Sequence, residues 1–243
     1  MSLDARFDRI QRDVRNRVGL KLPTQLIVIS PAENQRGLGP EDAQTATLDD
    51  MTGHQILVLE GGNPTDETFY HELCHARVNE LGFKLAEIRA RNTIDQRRDS
   101  NQTAILHDTL RIVGEAYGDS ILYAVFPAES SLTRAQLIAS FASVAGLKTI
   151  LRNLGLSGVG QGATFRVTLL WSGDNAHDAN LAQMTSFAFR KDGRALAYYN
   201  QVFSTVSTLP PPVRSSSPVN LSNAEIEQIS TGIVSLADWR KVS

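Results

Sequence analysis

His71 and His75 stand four residues apart with Glu72 between them, and this pattern carries the first chemistry in the chain. On an α-helix, positions i and i+4 share a face about one turn apart. Two neutral imidazoles spaced in this way can take two corners of a tetrahedral metal ion. Glu72 points close enough to the same face to reach a water on that ion. The alternative is an ordinary helix whose surface carries two histidines and a glutamate.

A catalytic zinc keeps three protein ligands and one open position, so a third ligand is needed. Glu80, Glu87, Asp95, His107, Glu115 and His177 all follow His75. Glu80 is turned away from the two histidines on the same helix and is expected to face solvent. The residues directly after His75, Ala-Arg-Val-Asn-Glu-Leu-Gly-Phe, contain no Gly-x-x-His to supply a third imidazole. Arg111-Ile-Val-Gly-Glu-Ala-Tyr-Gly-Asp119 is more informative. Glu115 and Asp119 are again i and i+4, and Ile112 and Leu122 share their face, which turns both carboxylates toward packed structure. A buried carboxylate pair is costly unless a cation or hydrogen-bond donors accompany it. Zinc on Glu115, with Asp119 accepting the far N–H of a ligand histidine, meets that need. The competing arrangement pairs Arg111 with Glu115 and leaves Asp119 solvated. Gly114 and Gly118 occupy an adjacent ridge and would let another helix approach closely.

These side chains need elements to hold them. Leu3, Phe7, Ile10, Val14 and Val18 recur at helical spacing and predict an amphipathic helix over residues 3–18. Residues 25–30 and 55–60 read as buried strands, with a Pro/Gly-rich loop at 31–53 between them. The motif helix is expected over about 64–81, with Asn63 as cap, Pro64 in the first turn and Gly82 as stop. Residues 83–102 are highly charged and read as helix or loop; helices follow at 103–126 and 131–154, the latter stopping at Gly155. Beyond the glycine-rich 155–162, Phe165, Val167, Leu169 and Trp171 alternate with polar residues and predict a strand. Residues 186–190 and 194–200 flank Lys191-Asp192-Gly193 as a hairpin. A Pro/Ser-rich linker at 210–218 leads to a last helix over 221–238 with Ser222 or Asn223 as cap. The expected class is α+β.

Composition narrows the function. A length of 243 residues suits one large domain or two small lobes. With a net charge of −2 there is no basic footprint for nucleic acid. The basic cluster Lys84, Arg89, Arg91, Arg97 and Arg98 is interspersed with Glu87, Asp95 and Asp99, and reads as a solvated face. No apolar run is long enough for a membrane span. The single Cys74 excludes an intrachain disulfide framework, suits a reducing compartment, and reads as core packing. The charged first twenty residues lack the apolar centre of a signal peptide. The expected location is cytoplasmic, with export by a route needing no cleaved signal left open.

His71-Glu72-x-x-His75 on one helix, then Glu115-x-x-x-Asp119 on a later one, resembles the gluzincin metallopeptidases, the thermolysin-like group. The resemblance covers about residues 55–126 and rests on five positions. It implies a zincin-like α+β domain whose small sheet packs on the motif helix. It implies one Zn²⁺ held by His71, His75 and Glu115, with Glu72 as general base, Asp119 behind a ligand histidine, and a peptide or protein as substrate. Residues 1–208 would form the catalytic domain, as lobes of about 1–126 and 127–208, and 209–243 the linker and terminal helix. His177, Arg194, Tyr198 and Tyr199 are candidates for stabilising an oxyanion, from a β-rich opposite wall of the cleft. Two departures stand out. Arg77 occupies a position where the extended pattern prefers an apolar residue, and the interval from His75 to Glu115 exceeds that of thermolysin, as if 83–102 were inserted. Two other classes remain open: a non-catalytic interaction domain with structural or absent metal, and a zinc hydrolase of a non-peptide amide. Structural zinc is usually closed by four ligands, often Cys, so the single Cys and Glu72 favour an enzyme.

Overall fold

The structure is a computed structural model that describes residues 2–35, 37–48, 50–96 and 100–242. Of the basic cluster, Arg97, Arg98 and the neighbouring Asp99 lie outside the described residues. The chain is α+β, mostly helical with a small mixed sheet. Helix α1 (Leu3–Val18) is followed by strands β1 (Thr24–Ile29), β2 (Ala43–Thr47) and β3 (His54–Leu59). Then come α2 (Asp66–Val78), α3 (Lys84–Asp95), α4 (Ser100–Val125), α5 (Ser131–Phe141), α6 (Val144–Trp171), α7 (Asn175–Phe189) and α8 (Gly193–Ser207). The two-residue strands β4 (Val213–Arg214) and β5 (Ser217–Pro218) precede α9 (Asn223–Val242).

The expected α1, β1 and β3 form where apolar spacing placed them. Phe7, Ile10, Val14 and Val18 are buried, and Phe7 meets Phe69 of α2 edge-on at 5.5 Å. The sheet order is β1-β3-β2, with β1 parallel and β2 antiparallel to β3. β2 emerges from the stretch expected to be loop, so β3 is central and the sheet edge beside α2 belongs to β2. Thr65, rather than Asn63, caps α2: its side chain accepts from the Thr68 N–H at 3.1 Å. Asn63 instead accepts from Arg6 at 2.9 Å. α2 passes through one wide π-turn at Asn79–Phe83 into α3, so the charged 83–102 segment is largely helical. Ser222 caps α9 in a reciprocal arrangement with Glu225.

The second half departs from the expected β-hairpin region. The predicted strand at 165–171 is the last quarter of α6, and the hairpin arms lie in α7, up to its cap Arg190, and in α8. From Gly158 to Leu169 almost every α6 residue is buried, against α4 on one side and α8 on another. A helix buried all round shows no 3.6-residue stripe, and a chance alternation of apolar and polar residues then reads as a strand. Lys191–Asp192 does form a turn, but between helices, with Asp192 accepting from the Ala195 N–H at 3.0 Å to cap α8. At Gly155, φ is 57° and ψ −142°, so the expected stop is a kink inside α6. No single helix among the described residues is long and apolar enough to cross a membrane; the apolar run of α5 and α6 is bent by 93°.

Glu80, expected at the surface, is buried. Its carboxylate accepts from the backbone N–H of Lys21 at 2.9 Å and Leu22 at 2.7 Å, and from Arg77 at 2.9 Å. His54 Nε2 lies 3.3 Å away. Arg77 also donates to the Val18 carbonyl at 2.8 Å, which ties the end of α2 to the turn between α1 and β1. That network explains a buried Arg77 beside the motif. Burial alone would raise the Glu80 pKa, but the bonds from His54, Leu22, Lys21 and Arg77 outweigh it and pull it down to about 2. A carboxylate with a folded pKa below its ordinary value stabilises the fold above about pH 4.5, and loses that contribution as pH falls toward 2. Glu80→Gln should lower the unfolding free energy by about 3 kcal/mol at pH 7, because it leaves a buried guanidinium unpaired. The variant should also lose less stability than the wild type between about pH 5 and pH 2, which urea unfolding across that range measures.

Candidate metal centre

α2 turns Phe69, Tyr70, Leu73 and Cys74 into the core and His71, Glu72 and His75 toward α4 and β2. α4 buries Ile112, Val113, Ala116 and Tyr117 and presents Glu115 and Asp119 to the histidines. The two i,i+4 pairs therefore meet across one helix–helix contact. His71 Nε2 and His75 Nε2 lie 3.1 Å apart, and Glu115 Oε2 is 3.4 Å from the first and 3.5 Å from the second. A tetrahedral ion with bonds of about 2.0–2.1 Å has ligand–ligand edges of about 3.3 Å, so these three atoms have the spacing of one of its faces. They are also the described residues' one group of His, Cys, Asp or Glu that could hold a metal. His71 donates from Nδ1 to Asp119 at 3.0 Å, which fixes the ring and leaves Nε2 facing the other ligand atoms. Arg111 pairs with Asp108 at 2.7 Å, not with Glu115.

Glu72 is held from the sheet. Its Oε2 accepts from the Thr45 N–H at 2.6 Å and lies 2.8 Å from the Thr45 hydroxyl, while Oε1 is 3.7 Å from His71 Nε2. Thr45, which lies in the stretch expected to be loop, is a contributor to the site without a strong sequence signal beyond the short Thr-Ala-Thr alternation of β2. Gly118 is the second. An added Cβ there would lie 2.6 Å from His75 Cε1 and 2.8 Å from both ring nitrogens, so the imidazole occupies the space of the missing side chain. The close approach that the glycine ridge allows is made by the His75 imidazole rather than by a helix backbone.

Burial by itself would lower the pKa of both histidines. The bonds that His71 makes to Asp119 and Glu115, and His75 to Glu115, outweigh it; His71 is held well above the ordinary value and His75 above it. Burial would raise Glu115, and the same contacts to His71 and His75 hold it well below. Proton and metal therefore compete for the two imidazoles, and an incoming metal must displace whatever protons they hold. Zinc affinity should therefore rise with pH through and above the ordinary histidine range, with proton release on binding. Calorimetry in buffers of different ionisation enthalpy measures this, and an affinity constant from pH 5.5 to 8 would contradict it.

Three cavities meet at Glu115. One of about 660 Å³ is bordered by His71, Glu72 and Asp119, and one of about 620 Å³ by Glu72 and His75. A smaller one of about 200 Å³ runs between α4, α5 and α6, with Ala116, Leu137, Phe141 and Phe165 in its walls. Gln44 of β2 borders both large cavities, so the sheet edge follows the cleft. His107 stands in the second cavity, facing Arg91 at 3.1 Å.

The four oxyanion candidates do not line these cavities. His177 faces Asp174 at 2.9 Å in the first turn of α7, and Arg194 is exposed at the start of α8. Tyr198 is buried and stacks on Trp239 at 5.6 Å, and Tyr199 is buried on the same helix. Their expected position rested on a β-rich wall that is helical instead. No protein-family model, curated protein or solved structure matches the chain, and the His71–His75–Glu115 geometry stands alone as the basis for assigning chemistry to it.

Proposed function

We propose that this chain is a zinc-dependent metallopeptidase of the gluzincin, zincin-like type, with His71, His75 and Glu115 as ligands and Glu72 as general base. The observation that carries the reading is the 3.1–3.5 Å triangle of three ligand atoms with the Glu72 carboxylate beside it. The two-histidine, one-glutamate donor set is that of a catalytic zinc with an open position. When bound, such an ion acidifies a water and polarises a carbonyl. Glu72 would be placed to take the proton of such a water and to deliver it to the leaving amine. Thr45 holds one oxygen of Glu72 so that the other faces the cleft, and Asp119 keeps the His71 ring turned to the ligand position. The edge of β2 along the cleft suits an extended peptide, which would add to the sheet by backbone hydrogen bonds. This favours a peptide over a small amide, which would make no use of such an edge.

The test is incubation of the zinc-loaded protein with a mixed peptide library, followed by mass spectrometry. Internal cleavage that a chelator abolishes and added zinc restores is expected. A folded, zinc-loaded protein that cleaves no member would overturn the peptidase reading.

A further inference from the structure

Arg111 is a cation of the cleft that the mechanism above leaves unused. It lies on α4 one turn before Glu115 and borders all three cavities that meet there. Its side chain keeps 46% of its surface exposed, so it is open to a ligand. Its carboxylate partner is shared: Asp108 accepts from Arg111 on one oxygen, and from Arg240 and Ser157 on the other. Two guanidinium groups thus divide one negative charge. Gln161, with its amide turned to satisfy both ends, also accepts from Arg111 and braces the plane of the group. The other guanidinium on this wall, Arg91, bonds Glu87 at 2.9 Å and shares it with Lys84 at 3.6 Å. Glu72 and Glu115 are committed to the metal centre. Arg111 therefore keeps part of its positive charge unanswered and has N–H donors to spare, beside the bond to be cut, although Asp42 and Glu67 also line the first cavity.

We propose, building on the peptidase reading, that Arg111 anchors a carboxylate of the substrate. A guanidinium fork matches a carboxylate bidentately, whereas a peptide carbonyl would use one donor and leave the charge unanswered. One helical turn is about 5.4 Å and an extended residue about 3.4 Å, so the anchored group lies one or two residues from the scissile bond. The carboxylate is an acidic side chain or the free end of the peptide.

The experiment measures binding to zinc-loaded Glu72→Gln protein, independently of turnover. The probes are alanine-based hexapeptides with Glu or Gln at each position in turn, each made with a free or an amidated C-terminus, titrated calorimetrically at low salt. At least one carboxylate form should bind about tenfold tighter than its neutral counterpart. A Glu/Gln difference assigns the anchor to a side chain, and an acid/amide difference to the terminus. Adding Arg111→Gln should bring the pair within about twofold without loss of zinc, and Arg111→Lys, which keeps the charge but not the fork, should fall between. Equal binding of all pairs, no binding at all, or a preference that survives Arg111→Gln would overturn the proposal. Wild-type protein that binds with this preference yet hydrolyses no peptide would overturn the peptidase reading and leave the anchor standing.

Discussion

Glu72→Gln should reduce peptide hydrolysis by about a thousandfold or more while leaving about one zinc per chain, the range expected when a general base is removed. Glutamine has the shape of glutamate, and its carbonyl oxygen can still accept from the Thr45 N–H, which now bonds Oε2 at 2.6 Å. The amide that replaces Oε1 cannot take a proton. Glu72 is not one of the three ligand atoms, so metal content should not move, and the unfolding midpoint should change little. Rate and zinc content measured on the same preparation separate the two roles. A variant within tenfold of the wild-type rate would remove Glu72 from the mechanism, and one that loses its zinc would make Glu72 a ligand.

The second large effect is expected at a residue with no functional group. Gly118→Ala places a Cβ 2.6 Å from His75 Cε1, well inside contact distance, between two packed helices. The imidazole must rotate out of the ligand triangle or α2 must move off α4. Zinc affinity should fall about a hundredfold, the upper end for disturbed ligand orientation. Crowding should cost about 1–3 kcal/mol of stability, partly offset by alanine's better helix propensity. Gly114→Ala is the control: its Cβ would meet the Phe83 ring at 3.6 Å, an ordinary contact, so zinc affinity should be unchanged. Competition with a chromogenic chelator measures both. Wild-type affinity in Gly118→Ala would mean that the ring is not held where the structure places it.

Elements whose signals are local and repeated are legible in the sequence. α1 shows a clean apolar stripe, β1 and β3 are short runs bounded by turn residues, and His71/His75 and Glu115/Asp119 are i,i+4 pairs whose geometry is set within one helix. Elements that tertiary packing decides are not legible in the sequence. The second half of α6 is buried on nearly all sides between α4 and α8, so no helical period shows there, and the Asp192-Gly193 turn signal suits two helices as well as two strands. The role of Thr45 depends on β2 passing 27 residues away in sequence from Glu72. Glu80 is buried through α1–β1 turn amides 58 and 59 residues distant. The competing arrangement that pairs Arg111 with Glu115 does not form; Asp108, one turn before Arg111, holds it.

All of the chemistry rests on His71, His75 and Glu115 forming one metal site, and the zinc stoichiometry of dialysed wild type and Glu115→Ala tests this most directly. About one ion per chain is predicted in the wild type, and well under one in a Glu115→Ala protein that remains folded. A wild type without zinc, or a variant that keeps a full equivalent, would contradict it.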